Sequence, residues 1–459
     1  MNLSSMAFLA GFLPAALVVY WVFRKNVFLQ NMILLIEGLV FYGFFDWKYP
    51  IVLLGIIVIT YFAGISSKRI LQMSGICAIL LLLAFFKYTG MLVEGIFLPT
   101  GMSFFAFSAA GYLFDIKYKK YVPEKNIMSV ALFLCFFPVI IAGPILRYPD
   151  MESQIKNRRT IDFSHFEKAV LVFTYGLFLK LVIADRIAIF VNNVYDTYRE
   201  CSGQILFLGA VAYSLQIYAD FAGYSYMAAA VATLLGFEIP ENFRQPYFAV
   251  SIADFWHRWH ISLSSWLRDY VYIPMGGNRK GEKRKYLNTI ITFFISGVWH
   301  GVGLNYLAWG LLHGMGQVIG SRCKGVFSRI GKTVPYRVWR SVVTFLIVSL
   351  LWVFFRADSL LTALSYIKHM ITESRPWELT DGTLFSFGID GMQMFLLFVF
   401  VLLMVVVSLI REKYGNSDIF LKQNVLIKCA GVLALLIIIS CFGCYGIASE
   451  ESSFIYMAF

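Results

Sequence analysis

A run of about 20 predominantly apolar residues is long enough to cross the hydrocarbon core of a bilayer as a helix, and this chain repeats that pattern along its length. The runs fall at 6–23, 28–46, 51–66, 70–86, 127–146, 168–192, 205–235, 287–303, 305–319, 341–356, 392–410 and 425–447. Lipid offers backbone groups no hydrogen bonds, so each spanning run is expected to be helical. Some runs are short or broken by glycine, which gives an expectation of about ten to twelve crossings. Two further stretches, 97–113 and 248–275, are apolar but interrupted. They are predicted to be re-entrant or interfacial, with protein or a water-filled cavity covering the backbone. The fold class is therefore an all-α polytopic membrane protein.

Only 14% of the 459 residues are charged and 59% are hydrophobic, against roughly 25% charged in soluble proteins. No polar linker divides the chain, so residues 1–459 are read as a single membrane-embedded domain. Met6 to Phe23 has no charged segment before it and is followed by Arg24–Lys25. That pattern fits a retained first span with its N-terminus outside better than a cleaved signal.

The net charge of +12 comes from short basic clusters between apolar runs, as cytoplasmic loops require. Nucleic-acid binders gather such residues on one face of a soluble module, so no nucleic-acid partner is expected. Arg24–Lys25 and Lys68–Arg69 lie two spans apart and both face inward. The clusters at 279–285 and 322–340 flank a pair of apolar segments, which must then form a hairpin with both ends cytoplasmic. Arg411, Lys413, Lys422 and Lys428 mark one more inside loop. The tail 446–459 carries Glu450 and Glu451 but no lysine or arginine, and is expected outside. The seven cysteines are scattered through apolar segments, and Cys441–Cys444 is read as packing, not redox chemistry.

Six histidines are present: His165, His257, His260, His300, His313 and His369. His300 lies in Ser296-Gly297-Val298-Trp299-His300-Gly301, near the turn of the hairpin. An ionisable group at membrane depth is costly and usually functional, and imidazole exchanges protons near neutral pH. The alternative is a buried histidine donating to a carbonyl. His260 lies in the tryptophan-dense segment 254–270, whose large apolar residues recur at helical spacing. An amphipathic helix is predicted there, with Asp254 as its cap and His260 on the buried side. An interfacial anchor would explain the tryptophans and arginines but not that histidine. His257 and His260 form an HxxH pair, yet a zinc site wants a third ligand and HExxH is absent. No metal is expected. Neither a GxSxG elbow nor a P-loop is present. These residues alone fit a transporter or flippase with histidines in its path as well as they fit an enzyme.

Four blocks follow one another in order: Phe137-Pro138 to Gly143-Pro144-Ile145, Gln216 to Ser225, Glu241-Asn242-Phe243 on to Gly277-Asn278-Arg279, and Ser296 to Gly301. Together they resemble the membrane-bound O-acyltransferase (MBOAT) family, in particular its bacterial branch acting on exported polysaccharides, which includes the alginate, peptidoglycan and teichoic-acid D-alanylation subunits. The chain departs from the usual pattern at Tyr226 and at Arg244–Gln245. The resemblance implies a ring of tilted helices around a central funnel. It places His300 at the family's essential histidine and His260 at its second active-site residue. The ending Phe454-Ile455-Tyr456-Met457-Ala458-Phe459 resembles an FxYxxF motif of this branch, in which Tyr456 would carry the acyl group. An aromatic interfacial anchor is the alternative there.

The activity implied by the resemblance is acyl transfer, most simply of acetyl. A thioester donor, acetyl-CoA or an acylated carrier protein, would arrive from the cytoplasmic face as a substrate, with no bound cofactor. An extracytoplasmic SGNH-type acetyltransferase would be the partner that modifies the polymer. The implied location is the inner (cytoplasmic) membrane, and membrane lipid is the surrounding partner. A D-alanyl transferase or a lipid or protein acyltransferase is the alternative within the same family.

Overall fold

The computed structural model describes residues 1–89, 98–323, 333–415, 422–445 and 454–455. All regular structure among them is helical. The described residues form two compact units. The first comprises Met1–Leu177 and Gly223–Glu241 with Phe454 and Ile455; the second comprises Phe178–Ala222 and the described residues from Asn242 to Tyr445.

Five described helices are long and apolar enough to cross a bilayer: Arg69–Thr89, Gly203–Leu234, Val334–Arg356, Gly391–Tyr414 and Val425–Phe442. Shorter apolar helices lie at Ala7–Val22, Val27–Gly43 and Tyr49–Ile65. Their apolar surface is not spent on a core alone. Val18, Val22, Ile51, Phe62, Ile70, Leu81, Phe398 and Leu426 are all exposed, as side chains that meet lipid tails must be.

In the first unit, one expectation holds and one needs correction. The stretch 97–113 is interrupted, as expected, and from Met102 it belongs to one helix, Met102–Lys117, buried along nearly its whole length. The break precedes it, at Gly101, whose φ of +80° only glycine adopts cheaply and whose Cβ would strike the Ile140 carbonyl oxygen at 2.3 Å. The run 127–146 is helical only over Ile127–Leu134. Cys135 to Leu146 continue as irregular backbone, buried throughout. Pro138 and Pro144 cannot donate to a helical ladder, so protein covers the backbone there, as irregular structure at membrane depth requires.

In the second unit, Gly281–His300 and Leu304–Arg322 form the predicted hairpin. Glycines let the two backbones touch. A Cβ on Gly297 would lie 2.5 Å from the Tyr306 carbonyl oxygen, and one on Gly310 would lie 2.3 Å from that of Phe293. Small residues at such crossings replace the hydrophobic drive that lipid removes. A buried cation is also fully compensated in this unit: Lys180 Nζ lies 2.8 Å from both Asp185 and Asp220.

The segment 248–275 departs from the single amphipathic helix predicted for 254–270. It is divided into a 3-10 turn at Pro246–Phe248, helices Ile252–Arg258 and Ile261–Leu267, and a π-turn at Arg268–Tyr272. The cap is Ser251, whose hydroxyl accepts from the Asp254 N–H at 3.1 Å. The Asp254 carboxylate instead accepts from the Val250 N–H at 3.0 Å and pairs with Arg258. Periodicity could not expose the break, because its cause lies 18 residues away in Asn242.

Candidate active site

His300 is the last residue of its helix and is 1% exposed. The chain leaves it through Gly301, where a Cβ would collide with the Tyr306 ring at 2.2 Å. The imidazole is enclosed by rings: Trp299 at 4.6 Å, Trp309 at 4.8 Å and Phe355 at 5.2 Å between centroids. Trp309 and Phe355 come from the next two described helices, Leu304–Arg322 and Val334–Arg356, so three elements build the cage.

His260 sits at the break between the two short helices, with φ of +43°. A non-glycine residue in that conformation is strained and persists only where its surroundings hold it. Asn242 supplies the hold. Its backbone oxygen accepts from the Ile261 N–H at 2.9 Å. Its side-chain oxygen accepts from the Ser262 N–H at 3.3 Å and the Ser262 hydroxyl at 2.9 Å, and lies 3.1 Å from His260 Nδ1. A backbone N–H can only donate, so the Asn242 atom is oxygen and His260 Nδ1 carries the proton. Nε2 then presents the lone pair. The ring is fully buried, edge-on to Phe221 at 4.8 Å and 6.0 Å from Trp299. Trp299 therefore borders both histidines, and the two predicted residues meet in one aromatic cluster.

Sequence reasoning passed over several contributors. His313, from the hairpin's second helix, is fully buried, and Trp256 Nε1–H donates to its Nδ1 at 3.2 Å. Its proton is thereby placed on Nε2. The rings of Trp309 and His313 are 5.0 Å apart. Trp309 Nε1 and Ser296 Oγ are buried donors with no hydrogen-bond partner among the described residues. Buried donors are normally satisfied, so each is open to a water or a ligand oxygen. The only sequence signal for His313 is a second His–Gly pair, His313–Gly314, on the arm of the hairpin opposite His300–Gly301. Asn242 lies inside the third family block, where contiguous residues give it no role of its own.

The HxxH pair divides: His257 is exposed where His260 is buried. Tyr456 lies outside the described residues. Of the tail motif, Phe454 is described; it is 1% exposed and packs edge-on to Tyr224 at 4.9 Å within the first unit.

The sequence model described as MBOAT, membrane-bound O-acyltransferase family, matches residues 117–365, more than half of the chain and all of this cluster. The protein named probable alginate O-acetylase in Pseudomonas aeruginosa is 35% identical over 408 residues, covering 83% of this chain and 76% of its own. The peptidoglycan O-acetyltransferase of Helicobacter pylori is 33% identical over 414 residues, covering 79% and 78%. The teichoic acid D-alanyltransferase of Bacillus subtilis is 29% identical over 265 residues, covering 54% and 65%. The chain belongs to the membrane-bound O-acyltransferase family: it is a multi-pass membrane acyltransferase.

Proposed function

We propose that this acyltransferase takes an acetyl group from a cytoplasmic thioester, acetyl-CoA or an acylated carrier protein, and passes it outward for O-acetylation of an exported or cell-wall polysaccharide. The observation that carries the reading is the pair His300 and His260 around Trp299, inside the region matched by the family. The acetyl assignment draws on relatives of alginate and peptidoglycan O-acetylation covering more of the chain than the D-alanyl one does.

In this reading the His300 imidazole removes the proton of an acceptor hydroxyl, and its oxygen attacks the thioester carbonyl. Oxyanion charge develops on the carbonyl oxygen. The His260 Nδ1–H is engaged by Asn242, so the Trp309 Nε1–H is the better donor to that oxyanion. His260 Nε2 is left as an acceptor that orients the incoming group. Collapse breaks the C–S bond, and the thiolate takes back the proton from His300. The acceptor is Tyr456, whose phenol ester then passes the acetyl group to a polymer hydroxyl through an extracytoplasmic SGNH-type partner. The protein works as a single domain, 1–459, in the cytoplasmic membrane.

The test uses purified protein in liposomes with radiolabelled acetyl-CoA. Free CoA on the donor side and label on the C-terminal peptide, read by intact mass, are expected. Release of CoA with no label on that peptide would remove Tyr456 from the route. Uptake of intact acetyl-CoA would refute the reading as a whole.

A further inference from the structure

The first unit contains a polar cavity, none of whose residues belongs to the histidine cluster. A cavity of about 470 Å³ is lined by Gln154, Arg158, Arg159, His165, Gly236 and Glu238, among others. We propose that it binds a phosphate-class anion at the cytoplasmic side of the membrane.

Arg159 is the core of the case. It is 4% exposed, yet no carboxylate lies within ion-pair distance of it among the described residues. Its Nη1 donates to the Gln154 carbonyl oxygen at 3.1 Å and its Nη2 to Gln30 Oε1 at 3.2 Å. Both partners are neutral. Nε has no hydrogen-bond partner among the described residues. The guanidinium lies over the Phe237 ring at 4.8 Å and the Tyr20 ring at 5.6 Å. Ring faces attract a cation but do not neutralise it. A buried charge is normally paired, and the chain meets that need at Lys180 with two carboxylates. At Arg159 it supplies a cavity instead.

A simpler account makes Arg159 a cap for the helix Tyr148–Lys156, whose late carbonyl it meets at Gln154. That account explains one hydrogen bond. It leaves unexplained the cavity that Arg159 lines, and the second arginine and His165, which line it as well. Gly236 keeps this geometry open: its φ is +78°, and a Cβ there would press to 2.9 Å on Arg159 Cβ. Arg supplies a planar fork of donors that matches phosphate oxygens.

The side of the membrane follows from Leu234 and Leu235, which sit in the chain between the lining residues Thr233 and Gly236. The Tyr20 hydroxyl donates to the Leu235 carbonyl oxygen at 2.7 Å, and Trp21 Nε1–H to that of Leu234 at 3.0 Å. Those residues precede Arg24–Lys25, the first cytoplasmic basic pair by the positive-inside rule. Two sources present the required chemistry there: the diphosphate of a CoA-type donor, and the headgroup phosphate of an anionic phospholipid. The first rests on the proposed function; the second does not.

The test is thermal unfolding of the full-length protein in detergent, titrated with inorganic pyrophosphate against sodium chloride of equal ionic strength. A saturable rise in Tm with pyrophosphate is expected. Arg159→Gln should weaken the half-saturating concentration by about tenfold or more, as loss of a charge-assisted hydrogen bond implies. Should that variant fail to fold, Arg158→Gln, on an exposed side chain, should weaken it severalfold. Glu238→Gln, which removes a like charge from the lining, should tighten it. Competition by CoA assigns the site to the donor. Protection by phosphatidylglycerol nanodiscs, without CoA competition, assigns it to lipid. No saturable rise above the salt control, or one unchanged in both arginine variants, overturns the proposal. His300→Ala should keep the pyrophosphate response while losing thioester cleavage, which separates failure of this site from failure of the proposed reaction.

Discussion

Among the described residues, His300 and His260 lie against rings and a neutral amide, and Arg159 lies against rings, neutral oxygens and a cavity. Both regions bury a polar group, and they do so for groups of opposite character. Imidazole can enter an apolar cage as a neutral ring and be oriented by one hydrogen bond, as Asn242 orients His260. Guanidinium cannot shed its proton, so its cage must keep a place for a counter-charge. The difference separates a site built to exchange a proton from one built to hold an anion.

The largest expected effect falls on the histidine side. His300→Ala should lower thioester cleavage by about 10²–10⁴-fold, measured as free thiol released from acetyl-CoA, with membrane insertion unchanged. Cleavage at the wild-type rate would break the comparison, because the ring would then be packing alone. Trp309→Phe keeps a ring against His300 but removes the buried N–H. Loss of an oxyanion donor predicts roughly a 10²–10³-fold fall in turnover with little change in half-saturation by donor. An equal fall in Phe355→Leu, which changes the ring packing against His300 and removes no N–H, would point to ring packing as the cause.

Asn242→Ala should cost about tenfold in turnover, since an unmet buried donor is worth roughly 1–3 kcal/mol. Its signature is a shifted pH profile, because His260 loses the partner that places its proton on Nδ1. A profile identical to wild type would mean that Asn242 only holds the backbone break. The smallest effect sharpens the other region. The Asp162 carboxylate accepts from the His165 backbone N–H at 2.9 Å, the Ser164 hydroxyl at 2.8 Å and the His165 ring at 2.7 Å. These bonds, the backbone one foremost, hold its carboxyl well below the usual range. Its contribution is therefore complete above roughly pH 4, the ordinary Asp value, and lost as pH falls below that toward the lowered one. The protection of the His165 amide, its exchange rate taken relative to an unstructured amide at the same pH, should hold from pH 7 to about 4 and fall only in stronger acid. Asp162→Asn should remove that fall.

Much of the site could be read in one dimension. Ser296 to Gly301 and the block from Glu241 named both histidines, and loop charges named the hairpin that carries one of them. The helix break at His260 could not be read so, because Trp256, Trp259, Leu263 and Trp266 keep helical spacing across it. The buried irregular run from Cys135 to Leu146 was likewise as apolar as a span. Where every residue is hydrophobic, the contrast that separates a core face from a lipid face disappears.

Residence in a membrane as many helices, and the two histidines that carry the family resemblance, were legible in one dimension. Those conclusions rest on composition, loop charge and contiguous motifs, which need no knowledge of what touches what. Only the tertiary structure decided that Trp309 and Phe355 enclose His300, that Asn242 sets the proton on His260, and that Arg159 has a cavity in place of a carboxylate. Each joins residues far apart in the chain, and a buried polar group takes its partners from whatever packing brings beside it.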